Sequence, residues 1–245
     1  ACIAAAQGFE FSHGSKKIDI ASKNKGLRDS WFNAWRPNGI TSEHAVILED
    51  DIELSRDWYK WLTAAWNAYG SRDDLAGISL QRQAFVHKRG HQQFEIVNDH
   101  RPFLYASVGS IGFSPHWKQW HAFLQWIDKV DVSTVDIRTR DLVTSDWFYK
   151  SDKRQMWTQY FIWFCQQHKL FTLFVNLPDR KTLASHMREP GEHTPVNMQR
   201  DFFVADRVDT MNFPSALLKY DWDAKLISVS TMIKDGSDYG GWTYD

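Results

Sequence analysis

The sequence predicts an α/β fold, a mostly parallel sheet with helices on both faces. Three observations carry that reading. Apolar runs at 45–48, 75–80 and 171–175 have the length of buried strands. Between them, large apolar residues recur at three- and four-residue spacing, the period of a helix face. The two kinds of segment alternate along the chain, which is the pattern of strands joined by crossover helices.

Residues 16–21 read as a short strand and 22–26 as a polar turn. Leu27, Trp31, Ala34 and Trp35 then share a helix face that ends at Pro37-Asn38-Gly39. The strand at 45–48 follows. Ser55 is placed to cap a helix whose stripe is Trp58, Trp61, Leu62, Ala65, Trp66 and Tyr69, closed by Gly70. After the strand at 75–80, the polar stretch 81–101 reads as a hairpin or surface excursion, and 103–107 is extended. Gly109-Ser110-Ile111-Gly112 allows close backbone approach. Ser114-Pro115 offers a cap and a first-turn proline to the helix of Trp117, Trp120, Phe123, Leu124 and Ile127. A charged loop over 128–151, an aromatic helix over 152–168 and the strand at 171–175 come next. From Pro178 the chain turns polar and is expected to fold back over the active face. Residues 1–210 thus form the domain, and 211–245 an extension packed on it.

The composition excludes several classes of function. With 245 residues, 43% of them hydrophobic, a full-sized core is available. A formal net charge of −1 with interspersed signs gives no field that would draw the chain to nucleic acid. Two cysteines, Cys2 and Cys165, are too few for a disulfide framework, and Cys165 falls in an apolar helical run as a buried thiol. No run approaches the ~18 apolar residues of a membrane span, and the opening Ala1-Cys2-Ile3-Ala4-Ala5-Ala6 lacks the flank of a signal peptide, so the chain as it stands reads as soluble. Thirteen tryptophans would suit sugar stacking, but most sit at helical spacing beside other apolar residues, which assigns them to the core.

The chemistry concentrates where the strand at 45–48 runs into Glu49-Asp50-Asp51. Three adjacent carboxylates repel one another unless a positive charge sits among them. A hard divalent ion such as Mg²⁺ or Mn²⁺ meets that need, taking carboxylate oxygens and completing its shell with substrate phosphates. The competing explanation is an acidic helix start: Asp50, Asp51 and Glu53 precede the Ser55 helix and would favour its dipole without any ligand. The oxygen spacing does not fit an EF-hand. Walker, dinucleotide, nucleophile-elbow and His-Glu-x-x-His patterns are all absent.

The order Lys23-Asn24-Lys25-Gly26-Leu27-Arg28, then Val46-Ile47-Leu48-Glu49-Asp50-Asp51-Ile52-Glu53, resembles the nucleotide-sugar-dependent glycosyltransferases of GT-A fold. Within them it is most similar to the branch that holds protein N-acetylglucosaminyltransferases, which carries a Glu-Asp-Asp metal motif. The likeness runs from about Ile18 to His193. It takes in the 109–115 segment, similar to an acceptor loop, and the 185–193 segment, similar to a late loop of related sequences. Before Ile18 there is no convincing version of the strand that holds the nucleotide base, so the fold is expected to lack its first strand or to draw it from upstream residues.

The resemblance implies a transferase that moves a sugar from a nucleotide diphosphate donor, a uridine diphosphate sugar, to a hydroxyl of a glycan or glycoconjugate, with inversion and with Mn²⁺ or Mg²⁺ as cofactor. It places Asp51 as the metal ligand, with Glu49 and Asp50 toward the donor or its ligating waters. Arg28, beside a helix start, would reach the donor phosphates. Asp146, in Ser145-Asp146-Trp147, would be the base, although Ser145 stands where the branch has a second acid; Asp141 and Asp152 are reserves. His186, ahead of His193, would complete the metal shell, and Arg188 would meet a phosphate. Gln81, Arg82 and Gln83 leave the second strand at the same rim and would bond hydroxyls. The Golgi lumen, behind an upstream anchor, is the implied location. A catalytically silent scaffold with the same fold and a metal-dependent phosphohydrolase are the rival readings.

Overall fold

Apolar runs make the centre of the molecule. In this computed structural model, which describes residues 2–40, 43–87, 93, 95–139, 141–150, 154–187, 202–208 and 211–230, β2 (Leu75–Arg82) and β5 (Phe171–Val175) are buried almost throughout and pair in parallel. Around them the main sheet has six strands in the order β4 (Phe113–Pro115), β2, β5, β3 (Phe103–Tyr105), β7 (Leu217–Tyr220), β8 (Leu226–Ser230). β1 (Ile52–Leu54) and β6 (Ala184–His186) pair as a separate two-stranded ribbon.

Helices cover this sheet because their apolar stripes need somewhere to go. On one side α3 (Trp58–Tyr69) buries Trp61, Leu62, Ala65, Trp66 and Tyr69 against Leu75, Ile78, Leu80 and Leu173. A second cluster joins α2 (Gly26–Ala34), α4 (Trp117–Ile127) and α6 (Trp157–Gln167) through Trp31, Phe32, Trp120, Phe123, Trp157 and Phe161. Many of the tryptophans are therefore core, as their spacing implied, and Cys165 is buried in the same cluster. Two further helices complete the described part, α1 (Cys2–Gly8) and α5 (Val143–Lys150).

Several elements depart from the sequence reading. The sheet is mixed rather than mostly parallel: β2–β5 and β3–β7 are parallel, while β2–β4, β3–β5 and β7–β8 are antiparallel. The cause lies partly in the tail, where a tight turn between β7 and β8 leaves no length for a crossover. These strands belong to the main sheet. Residues 45–48 are not a buried strand: they run along the β4 edge with one bridge, Ile47 to Phe113, and Leu48 is 41% exposed. Residues 16–21 are exposed coil. In α2 the buried pair is Trp31 and Phe32 while Leu27 faces solvent, a rotated stripe. Two helices start later than the cap residues implied. Asp57 precedes α3, with Ser55 accepting its amide hydrogen bond, and His116 precedes α4 because Ser114 and Pro115 are strand residues. The loop expected over 128–151 contains α5.

Candidate functional site

Glu49 and Asp51 lie at the end of the edge segment, just before β1. Because β1 begins at Ile52 and α3 only at Trp58, the acids do not form the first turn of a helix, and the dipole explanation loses its geometry. The antiparallel register of β1 with β6 sets His186 opposite Ile52, and the Met187 amide donates to the Asp51 carbonyl, which anchors the two segments side by side. As a result one donor atom each from Glu49, Asp51 and His186 lies within 4.8 Å of the others. Glu49 and Asp51 are half-buried and His186 is exposed. Asp51 Oδ1 is buried and has no hydrogen-bond partner among the described residues, an expensive condition for a carboxylate oxygen unless a cation meets it. Glu49 is better served: the Trp31 indole N–H donates to its Oε1 at 2.7 Å. Asp50 is exposed and outside this group of three.

The ribbon is pinned to the carboxyl end of β2. Leu183 N–H donates to Leu80 O at 3.1 Å, Ser55 N–H to Leu183 O at 2.8 Å, and the Thr182 hydroxyl to Leu80 O at 3.0 Å. This is the end of a sheet where ligands of open α/β folds collect. The glycine-bearing loop reaches the same place. Gly112, at φ +65°, lets its backbone pass between Leu80 and Ala184; a Cβ there would stand 3.0 Å from Leu80 Cβ and 3.2 Å from Ala184 Cβ. Gln81, a candidate for hydroxyl binding, instead accepts the Ile111 amide at 2.9 Å through Oε1 and so holds this loop. Arg82 and Gln83 are buried, with Arg82 donating to Leu177 O and paired with Glu95, and Gln83 donating to Phe85 O. Their sequence position at the rim does not carry them to the surface, since both side chains turn into protein contacts.

Arg28 is one helical turn before Trp31 on α2. Its guanidinium pairs with Asp29 at 2.8 Å, with 15% of the side chain exposed. Burial alone would lower its pKa, but hydrogen bonds and charge from Asp29 and Tyr160 outweigh that and raise it. Arg188, Glu189, His193 and Asp152 lie outside the described residues.

Asp146 is on α5, half-buried, rather than in a loop. It lines a pocket of about 650 Å³ together with Arg138, Thr139, Asp141, Ser145, Tyr149 and Lys150. Glu49, Asp51 and His186 are not among these lining residues. One lining residue, Ser145, is held from behind by Gln159, a fully buried residue of α6. Its Nε2 donates to Ile137 O at 2.8 Å and Ser145 Oγ at 2.8 Å, and its Oε1 accepts from Thr144 Oγ1 at 2.9 Å. At the start of the same helix, Trp157 stacks on Trp31 with ring centroids 3.8 Å apart. Helix α6 therefore contacts both the support of Glu49 and the support of Asp146. Neither Trp31 nor Gln159 was recognised in the sequence as a site residue, because each reads there only as part of a helix. Among the described residues, no helix is long and apolar enough to cross a membrane.

In comparisons with known proteins, no family model matches the chain and no curated protein matches it.

Proposed function

We propose that this chain is a metal-dependent glycosyltransferase domain that moves a sugar from a nucleotide diphosphate donor to a hydroxyl of a glycan or glycoconjugate. The observation that carries this reading is the convergence of Glu49, Asp51 and His186, one of whose carboxylates, Asp51, also has a buried oxygen with no hydrogen-bond partner among the described residues. Two carboxylates and one imidazole suit a divalent ion such as Mn²⁺, and three protein donors leave coordination positions for substrate oxygens. An ion held there would supply positive charge to a departing diphosphate.

The chain's own residues divide the remaining work. Asp51 and Glu49 supply the negative charge that retains the ion, and His186 adds a donor from the opposite strand. Arg28 stands on the neighbouring helix, within a turn of the residue that holds Glu49, as the phosphate contact. Asp146, in its polar pocket, takes the proton of the acceptor hydroxyl as the new bond to the anomeric carbon forms on the face away from the leaving diphosphate. The pocket's four charged residues, two of each sign, and its hydroxyl groups suit a polyhydroxyl acceptor better than an apolar one.

Calorimetry with uridine diphosphate and Mn²⁺ tests this reading. Binding that requires Mn²⁺ and disappears in Asp51→Ala is the expected result. No heat in the wild type would leave a binding scaffold as the better description. Release of free phosphate from nucleotide without an acceptor would point to a phosphohydrolase. Metal-dependent affinity retained in Asp51→Ala would overturn the site.

A further inference from the structure

We infer that Trp31 is a positioning residue for the cation edge: its indole N–H fixes the Glu49 carboxylate so that Oε2 and Asp51 face one ion. The inference rests on the metal reading of Glu49, Asp51 and His186 and adds a residue that no local motif marks. Three observations carry it. The N–H donates to Glu49 Oε1 at 2.7 Å, a distance typical of bonds to an ionised acceptor. The ring is 2% exposed, so water cannot replace the bond without opening the core. The indole cannot swing away, because it lies on Trp157 with centroids 3.8 Å apart and planes 18° from parallel, and Trp157 is itself packed against Phe113 and Trp120.

The chemistry follows from what an indole can offer. It has one donor and no acceptor, so it engages one carboxylate oxygen and leaves the other for a cation, and it does not compete for the ion. Glu49 sits at the end of an edge segment with a single bridge to the sheet, so without this bond its side chain would sample several rotamers and the ion would have to order it. Partners of this kind typically change metal affinity by about 10- to 100-fold. The stack also reaches α6, whose Gln159 holds the segment preceding Asp146.

Titration of the full chain with Mn²⁺ alone, followed by the electron paramagnetic resonance of the free ion, tests this as a double-mutant cycle. Trp31→Phe keeps a ring for Trp157 and removes the donor. The expected result is about 10- to 100-fold weaker Mn²⁺ binding in Trp31→Phe, and no further loss when the same change is made in Glu49→Ala. Unchanged affinity in Trp31→Phe, with wild type binding and Asp51→Ala not binding, overturns the positioning role and leaves the metal reading standing. An equal loss in both backgrounds also overturns it, since Trp31 would then act through the core and not through Glu49. Wild type that fails to bind Mn²⁺, or Asp51→Ala that binds as well as wild type, overturns both. If Trp31→Phe does not fold, the indole ¹H–¹⁵N spectrum decides: one indole resonance should shift in Glu49→Ala and be broadened by substoichiometric Mn²⁺. A spectrum in which none does so overturns the proposal.

Discussion

Asp51 and Asp146 are both half-buried carboxylates, and the proposed transferase gives them different tasks. Asp51 has a buried oxygen without a donor among the described residues and lies with Glu49 and His186, whereas Asp146 opens onto a polar pocket flanked by Arg138 and Lys150. On that proposal one charge holds an ion and the other accepts a proton, and these place different demands on a variant. In Asp146→Asn the side chain keeps its size and its place on α5 but loses basicity. Donor and Mn²⁺ binding should stay near wild type while transfer to an acceptor falls by about 10²- to 10⁴-fold, the usual worth of a positioned base. Parallel calorimetry and turnover assays check this, and unchanged turnover would remove Asp146 from the mechanism.

At the level of elements, the site depends on how closely the glycine loop, β2 and β6 approach. Gly112 makes that approach possible on two counts: its φ of +65° is costly for a residue with a side chain, and the space for a Cβ is bounded by Leu80 and Ala184. The backbone alone costs roughly 1–2 kcal/mol. Gly112→Ala should therefore lower the melting temperature by about 2–8 °C, given about 2–4 °C per kcal/mol for a domain of this size. Because Ala184 is two residues from His186, the displaced β6 should also weaken Mn²⁺ binding in the protein that remains folded. A thermal melt and a Mn²⁺ titration of the same sample measure both effects, and a variant as stable as wild type would show that the loop relaxes freely.

Across the whole molecule, the tail is locked to the sheet by charge as well as by strand pairing. Asp74, in the turn between α3 and β2, accepts from Arg72 Nε and Nη2 at 2.8 Å each and from Lys219 Nζ of β7 at 2.8 Å. All three side chains are at most 10% exposed. Burial alone would raise the Asp74 pKa, but the two cations outweigh it and hold the carboxyl below its ordinary value. The sign of the pH effect follows. A carboxyl depressed in the folded state stabilises fully above its unfolded value, about 3.9, and that contribution is lost as pH falls through the lower folded value. Acid unfolding of the wild type should thus include a component below about pH 4 that Asp74→Ala lacks. The same variant takes the carboxylate away from two buried cations and should lose about 3–5 kcal/mol at neutral pH. Urea unfolding at pH 7 and pH 3 tests both statements.

The periodic elements could be read directly from the chain. The stripes of α3, α4 and α6 and the runs of β2 and β5 follow from apolar spacing, because a residue's side of a helix or strand is set by its immediate neighbours. The acidic run marks Glu49, Asp50 and Asp51, and His186 is named only through a family resemblance; apolar spacing misses the phase of α2 and the exposed edge at 45–48, since burial there depends on what lies alongside. Only the folded chain decides which donors meet. The β1–β6 register brings His186 to the acids, an indole buried far from them in sequence takes hold of Glu49, and Gln81, Arg82 and Gln83 turn into protein contacts. These are consequences of packing between segments distant in the chain, and local pattern carries no record of them.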